Sequence, residues 1–185
     1  MEIRRCGWCE KDDLYRKYHD TEWGKPVYDD ETLFEILVLE SFQAGLSWYT
    51  ILKKRENFKA AFDNFDHQKI AKYYEVKIEE LMQNSGIIRN RLKILATINN
   101  AEKFSEIQKE FGSFSTYIWG FLDGNPIVNQ PQTSNDVPAT TEISNKISKD
   151  LKKRGFKFLG STVMYAFMQA TGMVNDHLVD CSFRN

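Results

Sequence analysis

Cys6 and His19 near the start of the chain, with His177 and Cys181 near its end, constrain the fold more than any other feature of the sequence. Zinc favours four tetrahedral ligands of Cys and His type, and pairs close in sequence preorganise half a site. If both pairs share one ion, the two termini are clasped together. His177-x3-Cys181 fits one helical turn, since positions four apart share a helix face. Cys6-x12-His19 needs the intervening segment to fold back. Cys9 leaves a second possibility open, because Cys6-Gly7-Trp8-Cys9 is a Cys-x2-Cys knuckle that could supply both thiolates. Buried free thiols and a hydrogen-bonded histidine would show the same spacing with no metal at all.

A chain of 185 residues can bury a real core, as one domain or as two intimately packed lobes. Its three cysteines, an odd number without a signal peptide or a long apolar span, point to a soluble, reducing, cytoplasmic setting with thiols free for metal. No membrane association is expected. The net charge of -1 gives no global attraction to nucleic acid, so such a partner has to be held by local cations. Three clusters could do so: Lys53-Lys54-Arg55, Arg89/Arg91/Lys93, and Lys152-Lys153-Arg154 with Lys157. Solvated helix faces also look like this.

Punctuation by Gly, Asp and Ser predicts short to medium helices throughout, and strand-like alternation is nowhere sustained, so the fold class is all-α. Helices are expected over Asp13 to about Trp23, over Thr32 to Ala44 with Asp29 or Asp30 as cap and Gly45 as stop, and from Ser47 to Phe62. His67–Tyr74 and Ile78–Gln83 follow. A long helix is expected from near Ile88 with Leu92, Leu95 and Ile98 as its apolar stripe, then another over Ser113–Leu122. Asp123–Pro138 holds three of the four prolines and reads as a crossing loop, before helices over Glu142–Arg154 and Thr162–Thr171.

Glu40 is the anomaly inside this scaffold, because it falls at the centre of the stripe Leu33, Ile36, Leu37 and Ala44. An unpaired buried carboxylate costs several kcal/mol, so this one must be neutralised, hydrogen-bonded, or waiting for a cation. Glu35 on the same helix is a poor control, since Phe34, Val38, Leu39 and Phe42 make the helix apolar almost all round. Gln43-Ala44-Gly45-Leu46-Ser47-Trp48 then joins two helices by a tight turn that aims Trp48 back toward Glu40. Trp8, Tyr15, Tyr18 and Trp48 come within reach of one cleft if the clasp folds residues 6–23 onto it. Aromatic faces beside a buried carboxylate suit a flat cationic ligand, although aromatics are also the usual filling of a core.

Leu81 to Arg91 reads as two helices joined at Asn84-Ser85-Gly86. Gly86, the amide of Ile88, and the side chains of Arg89 and Arg91 would make a phosphate site, in which N–H groups and the positive end of a helix dipole bind the anion. It matches a helix-hairpin-helix loosely, with Gly86-Ile87-Ile88 carrying one glycine where the usual hairpin has two.

Taken together, the chain resembles the DNA-3-methyladenine glycosylase I family. The resemblance runs through Cys6-Gly7-Trp8, Tyr18-His19-Asp20-x-Glu22-Trp23-Gly24, Leu39-Glu40-x-x-Gln43-Ala44-Gly45-Leu46-Ser47-Trp48, Leu52-Lys53-Lys54-Arg55-Glu56-Asn57, Gly86-Ile87-Ile88-Arg89, Leu151 to Phe158, and Val174-Asn175-Asp176-His177. It implies a helix-hairpin-helix DNA glycosylase fold, one domain over 1–185, with a helical lobe of about 30–115 and a zinc-clasped lobe of 1–29 plus 116–185. It implies one structural zinc on Cys6, His19, His177 and Cys181, which favours Cys181 over Cys9. The family's base-contacting glutamate falls on Glu40, and its pocket aromatics on Tyr15, Tyr18 and Trp48, with Trp8 nearby.

The implied activity is hydrolytic release of 3-methyladenine from alkylated double-stranded DNA; nothing in the sequence suggests an obligate protein partner, and a monomer is expected. Methylation at N3 makes the base cationic and a good leaving group, so the pocket mainly has to recognise it. A lysine at the superfamily's nucleophile position is absent, which implies no strand cleavage. A zinc deaminase would need His-x-Glu with Pro-Cys-x-x-Cys, and neither occurs. A helical module that only binds DNA or protein would keep the clasp and the hairpin but would not need Glu40 beside Trp48.

Overall fold

The computed structural model describes residues 2–184. Nine helices make almost all of its regular structure among these residues: α1 (Asp13–Thr21), α2 (Asp30–Gln43), α3 (Trp48–Ala61), α4 (His67–Ile70), α5 (Glu75–Gln83), α6 (Arg91–Phe111), α7 (Phe114–Trp119), α8 (Glu142–Lys153) and α9 (Ser161–Ala170). The class is all-α, as the lack of alternation implies. One small addition has no sequence signal: β1 (Ile127–Val128), inside the stretch read as a crossing loop, pairs in parallel with β2 (Val174–Asn175).

Local chemistry sets most helix starts. Asp12, Asp29, Ser47, Asn90 and Ser113 each accept a backbone N–H of the first turn with their side chain, satisfying a donor the helix leaves free. At the end of α2, Gly45 takes a φ of +81°, where a side chain would be strained. The two short helices differ from their expected bounds: α4 stops at Ile70 rather than Tyr74, and α5 begins at Glu75, ahead of Ile78.

The centre of the molecule is α2, whose Leu33, Phe34, Leu37, Leu39 and Phe42 are all fully buried. It packs against α3, α6, α7 and α9. Asp30 adds a polar tie, its carboxylate accepting from the backbone N–H of Phe114 and Ser115 at 2.8 Å each. A helix apolar on every side has to sit in the middle of its neighbours, and this one does.

Two expectations need correction. The long helix starts at Arg91, because Asn90 caps it, and its buried face is Ile94, Ala101, Phe104 and Ile107. Leu92 and Leu95, read as the inward stripe, are 67% and 41% exposed. Both sets have helical spacing; packing against α2, α4 and α5 selects the second and rotates the helix accordingly. Second, His177 and Cys181 do not share a helical turn. Residues 176–181 follow β2 as irregular chain with a turn at 179–180, and the two side chains converge because the Cys181 N–H bonds back to the Leu178 carbonyl at 2.9 Å.

Residues 24–27 fasten the N-terminal segment to the end of α9. Gly24 N–H donates to the Gln169 carbonyl at 3.0 Å and Val27 N–H to the Thr171 carbonyl at 2.9 Å. Gly172, with φ +65°, makes this fit possible: a Cβ there would lie 2.1 Å from the Lys25 carbonyl carbon.

Candidate active site and metal centre

Cys6, His19, His177 and Cys181 are all buried, and one ligand atom from each lies within 4.8 Å of every other. Cys6 Sγ and Cys181 Sγ stand 3.7 and 3.3 Å from His177 Nδ1, and Cys181 Sγ stands 3.6 Å from His19 Nε2. A tetrahedron with metal–sulfur bonds of about 2.3 Å and metal–nitrogen bonds of about 2.0 Å has sulfur–nitrogen edges of about 3.5 Å, so the group has the right size for zinc. The outward nitrogens fit as well. His19 Nδ1 sits 2.7 Å from Asp20 Oδ1, itself held by Arg5, and His177 Nε2 sits 3.1 Å from the Trp23 carbonyl. Acceptors on the far side put the imidazole proton there and turn the lone pair inward, as metal-binding histidines require. Burial pushes the Cys6 thiol up and the His19 and His177 imidazoles down, so without a cation burial favours the neutral form of these three groups. A divalent ion reverses the first effect by stabilising thiolates. Cys9 is buried outside the group, donating its thiol to the Cys6 carbonyl at 3.1 Å.

Beside this cluster lies a cavity of about 260 Å³, at the small end of ligand pockets and the right order for one purine. Trp8, Tyr15, Tyr18, Glu40 and Trp48 all line it. The 3-10 turn Gly7–Cys9 brings Trp8 to 4.9 Å from Tyr15, 5.0 Å from Trp23 and 6.4 Å from Tyr18, between ring centroids. Tyr18 in turn lies 5.5 Å from Trp48. Through these contacts the clasp positions an aromatic wall: α1 carries His19 into the cluster and, on the same helix, Tyr15 and Tyr18 into the cavity.

Glu40 is 3% exposed, and its Oε2 has no hydrogen-bond partner among the described residues; Trp48 Nε1 is in the same position. Burial alone pushes the Glu40 pKa from 4.5 up to about 8, so the carboxyl holds its proton at neutral pH. Glu35, one helix turn and a half earlier, differs in the way the sequence could not show: Arg55 donates to it at 2.7 Å and to Glu22 at 2.6 Å. One acid is paired and structural. The other faces a cavity with nothing to bond. Burial also raises the Tyr15 and Tyr18 phenols, keeping both as O–H groups.

The hairpin is only partly the anion site expected. Gly86 turns its N–H inward onto Asn84 Oδ1 at 2.8 Å, and Arg91 is taken up by Glu75 and Glu79. The amides of Ile88 and Arg89 make no hydrogen bond among the described residues, and the Arg89 side chain is exposed. Lys54 reaches this loop from α3, with Nζ 3.3 Å from the Ser85 carbonyl. Lys54 belongs to the Lys53-Lys54-Arg55 cluster, and Gln43 to the block around Glu40, whereas no local signal pointed to the cavity residues Ala166 and Gln169, which arrive from α9. Asp176 also lines the cavity; its place beside His177 in the Val174–His177 block was the available hint.

In this all-helical frame a buried Cys/His group that could hold a metal braces an aromatic cavity with an unpartnered acid, and the chain belongs to the methyladenine glycosylase family, whose model matches residues 8–185. It is 49% identical over 179 residues to DNA-3-methyladenine glycosylase 1 of Escherichia coli (strain K12), covering 97% of this chain and 96% of that one. It is 50% identical over 177 residues to the DNA-3-methyladenine glycosylase of Haemophilus influenzae, covering 96% of each. A variant of 3-methyladenine DNA glycosylase I solved in complex with 3-methyladenine superposes with a TM-score of 0.95 at 38% identity, covering 99% of this chain and 98% of that one. Among the described residues no helix is long and apolar enough to cross a membrane.

Proposed function

We propose that this protein is a DNA glycosylase that flips 3-methyladenine out of alkylated duplex DNA into the aromatic cavity and releases it by hydrolysis. The observation that carries the reading is Glu40: a buried acid with an unpartnered oxygen, walled by Trp8, Tyr15, Tyr18 and Trp48. Extrusion costs a few kcal/mol, less for a damaged and poorly stacked base. A 3-methyladenine nucleotide carries positive charge on the base. Entry of that charge favours the carboxylate form of Glu40, which then accepts from the base, while the rings of Trp48, Tyr15 and Tyr18 stack on it or close over it.

In the chemical step the bond from the sugar C1′ to N9 breaks, and its electron pair neutralises the departing base. Water adds to C1′ and gives up its proton to solvent. Because the leaving group is already cationic, little general-acid help is needed, and recognition does most of the catalytic work. Among the described residues no lysine lines the cavity, in keeping with water rather than an amine attacking the sugar and with a monofunctional enzyme that leaves the strand intact.

The same reading assigns the cluster one zinc ion with a structural role, since four protein ligands leave no open position. It takes residues 1–185 as a single glycosylase domain of the helix-hairpin-helix type, with lobes of about 30–115 and of 1–29 plus 116–185. Phosphates of the alkylated double strand are met by the free amides of Ile88 and Arg89, the Arg89 side chain and Lys54. A monomer with three buried free thiols fits a reducing cytoplasm. Methylated duplex DNA incubated with the protein should yield free 3-methyladenine; its absence from the supernatant would refute the enzyme reading and leave a DNA-binding module.

A further inference from the structure

One residue on the cavity wall has a fixed hydrogen-bond sense that bears on which purine can be bound. Asp176 is 2% exposed and its carboxylate accepts three hydrogen bonds: from Asn129 Nδ2 at 2.7 Å, from the Tyr165 hydroxyl at 2.6 Å and from Gln169 Nε2 at 2.8 Å. A carboxylate has only acceptors to offer, so the amide of Gln169 must turn its nitrogen toward Asp176 and its oxygen away. Gln169 lines the cavity, and its Oε1 makes no hydrogen bond among the described residues. Among the described residues the buried side-chain polar atoms without a partner are Glu40 Oε2 and Trp48 Nε1, so Gln169 Oε1 stays accessible on a residue that lines the cavity. The backbone holds the residue in place, since the Gln169 carbonyl accepts from Gly24 N–H at 3.0 Å.

We infer that Gln169 is a specificity-determining residue of the pocket and that Asp176 positions it: the outward-facing Oε1 is an acceptor for the exocyclic amine of a 6-aminopurine. The inference rests on the base-pocket reading above. A 6-oxopurine such as 3-methylguanine, seated the same way, would set its carbonyl oxygen against Gln169 Oε1. Two acceptors would then have lost water without gaining a hydrogen bond, and sites built on such a contact reject the mismatched ligand strongly. Asn129 and Tyr165 matter because their hydrogen bonds fix the Asp176 carboxylate and keep it from turning toward the base.

The test is a ratio rather than a rate. Duplex DNA methylated so that it carries both 3-methyladenine and 3-methylguanine is treated with the intact protein, with Gln169→Met and with Asp176→Asn, and the initial release of each base is measured in the same reaction. Gln169→Met keeps the side-chain length and removes the acceptor; it should lower the adenine-to-guanine ratio by about tenfold or more. Asp176→Asn offers a donor as well as an acceptor, lets the Gln169 amide turn over, and should shift the ratio in the same direction with metal content unchanged. A merely structural contribution would slow both bases together and leave the ratio where it was. An unchanged ratio in folded Gln169→Met, or in Gln169→Leu if the first variant fails to fold, overturns the inference while the glycosylase reading stands. Release of neither base by the intact protein refutes that reading instead.

Discussion

Replacing Glu40 by glutamine should make the protein more stable, and by an amount that grows with pH. The folded chain keeps this carboxyl protonated because burial raises its pKa from 4.5 to about 8, whereas the unfolded chain ionises it in the ordinary range. A raised folded-state pKa means that the stability associated with the neutral acid is fully present below pH 4.5, falls as pH rises and levels off above the folded value. Between the two pKa values the loss is about 1.4 kcal/mol per pH unit, which gives about 1 kcal/mol at pH 5 and about 3 kcal/mol at pH 7. Glutamine has nearly the same shape and no charge to lose. Its buried amide adds an offset that does not vary with pH. Urea unfolding of both proteins at pH 5, 6, 7 and 8, both at the same metal content and showing equal slopes, gives the difference directly, since any pH dependence of the shared Cys/His cluster cancels. The gap should widen by about 2 kcal/mol from pH 5 to pH 7. A gap that stays constant over that range would show that Glu40 is not held neutral by burial, and the account of the pocket's resting state would fail. The same variant should release 3-methyladenine more slowly, the usual relation between a destabilising buried group and the function it serves.

Cys9→Ala should keep its full metal content and Cys181→Ala should lose it, because only the second thiol lies in the four-ligand group; metal analysis of the purified variants decides, and zinc lost from the first would overturn the ligand set. A strong chelator should lower the melting temperature of the intact protein. Gly172→Ala should cost about 3 kcal/mol or more of stability, since it combines a strained φ with a Cβ placed 2.1 Å from backbone, whereas Gly45→Ala meets nothing within 4 Å and should cost only about 1–2 kcal/mol; thermal melts of the pair make the comparison.

Much of this molecule is legible residue by residue. Asp12, Asp29, Ser47, Asn90 and Ser113 mark helix starts because a cap is a bond between neighbours three apart, available to the chain before anything else folds. The all-helical class follows from periodicity in the same way. Glu40 also stands out in sequence alone, as a carboxylate where its helix can least tolerate one. Lys93 shows the limit of such reasoning. It reads as part of a surface cluster, yet it is 6% exposed and donates to the carbonyls of Phe42 and Ala44 at 2.8 Å each, closing the end of the Glu40 helix.

Long-range closure settled the rest. Spacing left Cys9 and Cys181 as alternatives, since a ligand set depends on where residues some 170 positions apart come to lie; with chain ends joined, Cys181 enters the group and Cys9 turns to a carbonyl. Arg91 appeared free until α5 brought Glu75 and Glu79 alongside, and Glu35 looked like Glu40 until α3 supplied Arg55. The orientation of the Gln169 amide needed Asp176, Tyr165 and Asn129 from three separate segments. The sequence by itself determined which helices form and which side chains are out of place in them. Only the tertiary structure decided which of those side chains find partners, because a hydrogen bond or ion pair between distant residues exists only once the chain has closed around it.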